Sequence, residues 1–313
     1  MMLRSLALGL ATVAAIAQPA SALTFSFTTI QGDTLTGDQA SAFQTAADAW
    51  SASLSDPITV GLQIGFRSLG PNILGGATPT EFAANANAVK ALLAADAKSS
   101  SDATAVASLP TYGANDTLAV TQAQAAAIRL STLQNDGTIE FSTNFTYSNS
   151  RTAQGTIAPG TFDLVGIAEH EIGHILGFVS AIDNPGTPST ILDQFRFTSA
   201  GVRNTTRVTG AYFSIDGGTT SIAGFSPGGT ANDNYQASHW AQGTGALLDP
   251  AISPGAVENI MPLDLQAFDV IGYDLAGAQT PPTQVPEPAS LALFAISLVG
   301  VVARRRQRTP TPA

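Results

Sequence analysis

The stretch Ala168-Glu169-His170-Glu171-Ile172-Gly173-His174 constrains this chain more than any other, because it carries two of the three histidines, four residues apart. Residues at that spacing lie one above the other on a single helix face, so both imidazoles can reach the same metal ion. The surrounding segment is otherwise apolar: Leu164, Val165, Ile167, Ala168, Ile172, Ile175, Leu176 and Phe178 read as a buried helix from Phe162 to Phe178. Asp163 is placed to cap its start and Gly177 to end it. Two imidazoles and a carboxylate are costly to bury unless a metal or a full set of hydrogen bonds compensates. An accidental pair of surface histidines would not sit in so apolar a helix. His-Glu-x-x-His on a helix therefore implies zinc, with Glu171 placed to take a proton from water at the metal, as in a zinc-dependent peptidase.

A catalytic zinc takes three protein ligands and keeps one position open. The extended pattern HExxHxxGxxH would put its third histidine at 180. Gly177 matches the glycine, but Ser180 is a poor ligand. The remaining histidine is His239, in Gln236-Ala237-Ser238-His239-Trp240; the carboxylates Asp183, Asp193, Asp233 and Glu258 compete with it. A site short of one ligand favours His239.

These segments resemble bacterial secreted metalloproteases that carry HEIGH and a PEP-CTERM anchor. More distantly they resemble leishmanolysin-type metzincins, in which a long insertion separates HExxH from a third histidine in a His-Trp pair. The likeness spans Ser41 to Trp50, Ile58 to Arg67, Phe162 to Phe178, Asp193 to Phe197, Tyr212 to Gly218, Gln236 to Trp240 and Leu263 to Tyr273. It implies that His170, His174 and His239 hold zinc and that Glu171 is the catalytic base. Metzincins place a methionine in a tight turn beneath the metal; in Leu247-Leu248-Asp249-Pro250 that position is Leu248, which nearly conserves the volume.

The two ends of the chain carry signals. Arg4, the apolar run Ser5 to Ala17 and Pro19-Ala20-Ser21-Ala22 read as a signal peptide over residues 1–22. At the other end a Pro-rich linker, 279–288, contains Val285-Pro286-Glu287-Pro288. An apolar segment at 289–303 follows, then a basic tail at 304–313 with Arg304, Arg305, Arg306 and Arg308. The apolar segment is shorter than the ~20 residues of an ordinary spanning helix, and its arginines obey the positive-inside rule. Together they resemble the PEP-CTERM signal of Gram-negative bacteria. That resemblance implies transient inner-membrane insertion, processing by an exosortase, and delivery to the cell surface or extracellular matrix.

Between the signals, residues 23 to 283 hold eight basic against twenty-two acidic residues, a formal charge of −14. So acidic a surface argues against nucleic acid as a partner and suits a polypeptide substrate outside the cell. With no cysteine, the chain has neither disulfides nor thiolate ligands nor a cysteine nucleophile. A mature chain of roughly 255 residues is long enough to bury a core without such staples.

The reading is one catalytic domain, 23–278, in lobes 23–180 and 181–278. Apolar periodicity predicts strands at Thr24–Thr29, Thr59–Arg67, Gly137–Phe145 and Tyr212–Ile215. It predicts helices at Gln39–Leu54, Thr80–Ala97, Thr121–Leu133 and Asp264–Ile271, with a break over Lys98–Thr104 and a turn at Asp216-Gly217-Gly218. The fold class is α+β: a metzincin-like zincin with a mixed twisted sheet and helices in the upper lobe, an irregular lower lobe, and the active-site helix at the cleft. By analogy, Thr138–Phe145 is the expected edge for an extended substrate; no motif identifies an oxyanion helper, for which Tyr235 and Tyr273 are the candidates. The alternative is a non-catalytic surface or matrix adhesin with a zinc-stabilised protease fold; Glu171, which a structural site does not need, favours the enzyme.

Overall fold

The structure, a computed structural model, describes residues 23–133, 135–229 and 235–277. The segments expected to be signal peptide, linker, apolar helix and basic tail lie outside these residues. Among the described residues no helix is long and apolar enough to cross a membrane. The architecture is α+β.

The first half builds a four-stranded sheet in the order β1 (Thr24–Thr29), β2 (Thr59–Arg67), β6 (Gly137–Ser142), β3 (Gly75–Pro79). The first three run parallel, and β3 closes one edge antiparallel to β6. Alternation along β2 puts Val60, Leu62 and Ile64 into the core, as the sequence predicts. Helix α1 (Gly37–Ser53) covers this face: Phe43 lies 5.1 Å from Phe141, and Phe66 stacks on Phe141 at 5.4 Å. Its N-terminus is a capping box, with Thr36 and Gln39 satisfying each other's backbone N–H groups.

An insertion between β3 and β6 differs from the sequence expectation. Instead of one helix over Thr80–Ala97, residues Glu81–Asn85 form strand β4, paired with β5 (Thr117–Thr121), and helix α2 (Ala86–Asp96) follows. Pairing with a strand more than thirty residues away overrides the alanine-rich helix propensity, and Asn85 caps the helix that remains. The expected break is instead the start of helix α3 (Ser100–Ser108), capped reciprocally by Ser99 and Asp102. Helix α4 stops early, at Gln122–Ala127, where Arg129 takes a left-handed φ of 60°.

Next come two short strands, β7 (Tyr147–Ser148) and β8 (Phe162–Asp163), and the motif helix α5 (Leu164–Ile175), which packs against α1 and β3. The remainder is irregular, with a 3-10 turn (Leu192–Phe195) and a small antiparallel sheet. Its strands are β9 (Arg196–Ser199), β10 (Val202–Arg203), β11 (Tyr212–Phe213) and β12 (Ala223–Gly224). Helix α6 (Pro262–Val270) is the last helix among the described residues. One apolar core joins both halves: Trp240 packs on Phe178, Phe213 and Phe225 at ring distances of 4.8, 5.4 and 5.0 Å.

One expectation fails on topology. The strand before the motif helix is not an edge, because β6 is paired on both sides. The edge next to β6 is β3, whose Gly75-Gly76-Ala77-Thr78-Pro79 carries no apolar alternation to mark it as a strand.

Candidate metal centre

Helix α5 is held closely on three sides. At Gly173 a Cβ would stand 3.2 Å from Leu248 Cδ1 and 3.4 Å from Trp50 Cζ2, so the missing side chain lets both pack onto the helix. Trp50 also donates its indole N–H to the Glu169 carbonyl (2.9 Å). Gly177 ends the helix at φ 113°, where a Cβ would overlap the Gln124 side chain. Asp163 occupies the N-cap position but makes no cap bond; its carboxylate accepts from Arg151 Nε (2.8 Å).

His170 and His174 project from this helix toward His239, which arrives from the irregular half. The Nε2 atoms lie 3.1 Å (His170–His174), 3.2 Å (His170–His239) and 3.3 Å (His174–His239) apart. Each Nδ1 faces a backbone carbonyl: Leu247 O at 2.8 Å, Phe178 O at 2.7 Å and Gln236 O at 3.2 Å respectively. A carbonyl only accepts, so each Nδ1 carries the proton and each Nε2 presents a bare lone pair. Three lone pairs directed at one point repel each other unless a cation lies between them. Burial holds His170 at a pKa of about 4 and His174 at about 3, and lowers His239 well below 6.5, so all three stay neutral donors at pH 7. Together they form a group able to hold a metal ion.

Glu171 follows His170 on the same helix and is buried; burial raises its pKa to about 8 against the pull of the Ala77 N–H. The edge strand runs beside it, since a Cβ on Gly75 would come 3.1 Å from Glu171 Oε1.

The competing acids do other work. Asp193 accepts from Ser180 Oγ (2.6 Å), Ala181 N (2.9 Å) and Thr190 N (3.0 Å). Asp183 accepts from Arg207 Nε (2.9 Å) and from the backbone of Gly229 and Ala237. Glu258 carries a pKa raised to about 8 by burial and by Asp249, Asp163 and Asp264, and its backbone carbonyl accepts from Arg151. Asp233 lies outside the described residues. None of the three described acids joins the imidazole group.

Residues 284–307 match the PEP-CTERM protein-sorting motif. The motif marks a secreted bacterial protein recognised by an exosortase-type processing enzyme and exported to the envelope or surface of a Gram-negative cell. No curated protein and no solved structure matches the chain.

This exported protein supports its centre with two residues that sequence reasoning missed, Asp264 and Arg151, and with Leu248, which it singled out. Asp264, fully buried on α6, accepts from Trp240 Nε1 (2.8 Å), Leu247 N (2.9 Å), Leu248 N (3.3 Å) and Met261 N (2.9 Å). One carboxylate thus fixes the neighbour of His239 and the turn whose carbonyl orients His170. Leu248, in that turn, packs under α5 against Gly173. Arg151 ties α5 to the later chain, donating to Asp163, the Glu258 carbonyl and Asn259 Oδ1 (2.7 Å). An arginine in a loop and an aspartate at a helix start carry no distinctive spacing.

Of the candidate tyrosines, Tyr273 is buried against Phe268 with Asp56 and Asp136 as its charged neighbours. The Tyr235 carbonyl accepts from Ser226 Oγ (3.2 Å). The phenol whose pKa responds to Glu171 is Tyr147, pushed up to about 12 chiefly by burial, and its hydroxyl lies 2.7 Å from Leu74 O. A second group, Asp56, Asp96 and Asp274, converges elsewhere, with the Lys98 ammonium on Asp274.

Proposed function

We propose that this exported protein is a zinc-dependent endopeptidase with a metzincin-like fold, in which His170, His174 and His239 hold the metal and Glu171 is the general base. The observation that carries the reading is the convergence of three proton-free Nε2 atoms beside a buried glutamate. Zinc–nitrogen bonds of ~2.0–2.1 Å at tetrahedral angles separate the donors by ~3.3 Å, which agrees with the 3.1–3.3 Å found here. Three imidazoles with no fourth His, Asp or Glu joining them among the described residues form the donor set of a catalytic site, whereas structural sites use four protein ligands.

A bound zinc ion supplies Lewis acidity toward a peptide carbonyl and brings water toward a pKa of ~7. Beside such a dication, the Glu171 carboxyl falls from its raised value to the ionised form that a base requires. Glu171 then accepts the proton of the attacking water and delivers it to the departing amine. Leu248 fills the floor of the site in the place of the metzincin methionine.

The edge strand offers the docking line for an extended substrate. The Leu74 carbonyl and Thr80 N–H bond toward β6 and the Asp136 carbonyl, so alternation turns the Gly75 and Ala77 backbone groups away from the sheet, toward Glu171. A polypeptide added there as a further strand would lie across the metal.

The test is bound zinc and hydrolysis of a denatured protein, measured on the purified full chain with Glu171→Gln and His239→Ala. Near-stoichiometric zinc, with hydrolysis reduced about 10²–10⁴-fold in Glu171→Gln while the metal stays, is the expected result. Metal loss in His239→Ala assigns the third ligand. Zinc without hydrolysis in the unaltered protein would favour the adhesin with a structural site, and absence of zinc would end both readings.

A further inference from the structure

The segment that delivers His239 is gripped by two charged side chains that do not belong to the imidazole group. Ala237, two residues earlier, donates its N–H to Asp183 Oδ2 (2.7 Å) and accepts at its carbonyl from Arg196 NH1 (3.1 Å). Asp183 comes from the loop directly after α5, and its other oxygen accepts from Gly229 N (2.9 Å) and Arg207 Nε (2.9 Å). Arg196 opens β9 and is 1 % exposed. Its remaining donors go to Asn204 Oδ1 (2.8 Å) and the Ser226 carbonyl, and its face lies 4.7 Å from the Phe225 ring. Ser226 in turn donates its N–H to the His239 carbonyl (3.0 Å).

Among the described residues, no carboxylate lies within ion-pair distance of this guanidinium. A buried cation whose direct acceptors are all neutral, with Asp193 and Asp183 acting on it only from beyond ion-pair distance, is costly, and burial lowers the Arg196 pKa to about 10. A methionine of similar length would fill the same space without that cost. What the fork supplies, and an apolar side chain cannot, is simultaneous fixation of the Ala237 carbonyl, two residues before the histidine, and the carbonyl of Ser226, whose N–H holds the His239 carbonyl.

We propose that Asp183 and Arg196 are positioning residues that clamp the Ala237 backbone from both sides and so preset the His239 imidazole for the metal. The inference rests on the metal reading above. Asp183, a candidate ligand by sequence, thereby acts on the metal only through the backbone that carries His239. Without the clamp the donors remain but His239 is free to turn away. Metal affinity then falls by about tenfold or more, as when other supports of ligating histidines are removed.

The test measures zinc affinity by competition with a chromophoric chelator, and the visible spectrum of the cobalt-loaded protein. The purified full chain is compared with Arg196→Met, Arg196→Lys and Asp183→Asn. The control is Arg203→Met, since Arg203 also donates to backbone carbonyls (Gln194 O at 2.8 Å, and Ser108 O) and stacks on Phe197, but has no bond to the His239 segment. Expected are at least tenfold weaker zinc binding and an altered cobalt spectrum in the Arg196 and Asp183 variants, with both unchanged in Arg203→Met. Arg196→Lys keeps the charge but not the fork, and should stay weak. If Arg196→Met does not fold, Arg196→Lys and Asp183→Asn decide. Unchanged affinity and spectrum in the clamp variants, or equal weakening in the control, would overturn the clamp while leaving the metal reading intact. No metal bound by the unaltered protein would overturn that reading, and the clamp with it.

Discussion

Replacing Asp264 by asparagine isolates the bond set that joins His239 to the rest of the site. The carboxylate accepts four hydrogen bonds, Trp240 Nε1 and Leu248 N at Oδ1, Leu247 N and Met261 N at Oδ2. Asparagine has the same shape, but either orientation of its amide turns an NH₂ toward two of these donors. A buried N–H left without an acceptor costs about 1–3 kcal/mol, so two cost about 2–6 kcal/mol. Against a total of about 5–15 kcal/mol this is severe. Burial raises the Asp264 pKa despite its four donors, so removing the charge returns part of the loss and places the expectation in the lower half of the range. At about 2–4 °C per kcal/mol for a domain of this size, Tm should fall by roughly 4–16 °C. The Leu247 carbonyl that orients His170 would shift as well, so metal affinity should weaken about tenfold. Thermal unfolding of the metal-free protein reads the first effect and chelator competition the second. A Tm within about 1 °C of the unaltered protein, together with unchanged metal affinity, would refute the reasoning.

Three other outcomes follow from the same physics. Stripping metal with a chelator should lower Tm, because metal at a hundred times its Kd contributes about 2.7 kcal/mol; His239→Ala should lack that response, and a chelator shift that persists in it would place the metal elsewhere. Gly177→Ala should prevent accumulation of folded protein, since alanine at φ 113° is strained and its Cβ overlaps Gln124; a soluble variant of unaltered Tm would contradict the packing. Asp56, raised by burial from 3.8 to about 7, stabilises the fold fully below pH 3.8 and loses that contribution as pH rises through 7. Asp56→Asn should therefore gain on the unaltered protein between pH 5 and pH 8, by about 2 kcal/mol in urea unfolding; a difference independent of pH would sink this idea.

The centre was more legible in the sequence than the fold around it. Histidines at i and i+4 in an apolar helix are a local pattern, and helix geometry alone brings them to one face. Strands β1 and β2 were equally plain, because alternating Val60, Leu62 and Ile64 face one buried side. Alanine-rich Glu81–Asn85 misled, since helix propensity is a weak local preference and its pairing with Thr117–Thr121 is a distant one. The capping box at Ser99 was there to be read and marks the start of α3, whereas the helix start at Thr121 was read correctly.

By itself, the sequence determined the paired histidines, the glutamate between them, the export signals and the α+β class, all of which depend on spacing along the chain. Only the tertiary structure decided that β3 is the edge beside Glu171, that His239 completes the imidazole group, and that Asp183 bonds the Ala237 backbone. It also assigned the buried charges of Asp264, Arg196 and Arg151 to backbone groups far away in sequence. The reason is physical. A helix converts sequence distance into spatial proximity by a fixed period, whereas a hydrogen bond between Asp264 and Leu247, or Arg196 and Ala237, exists only once the core has brought their backbones together.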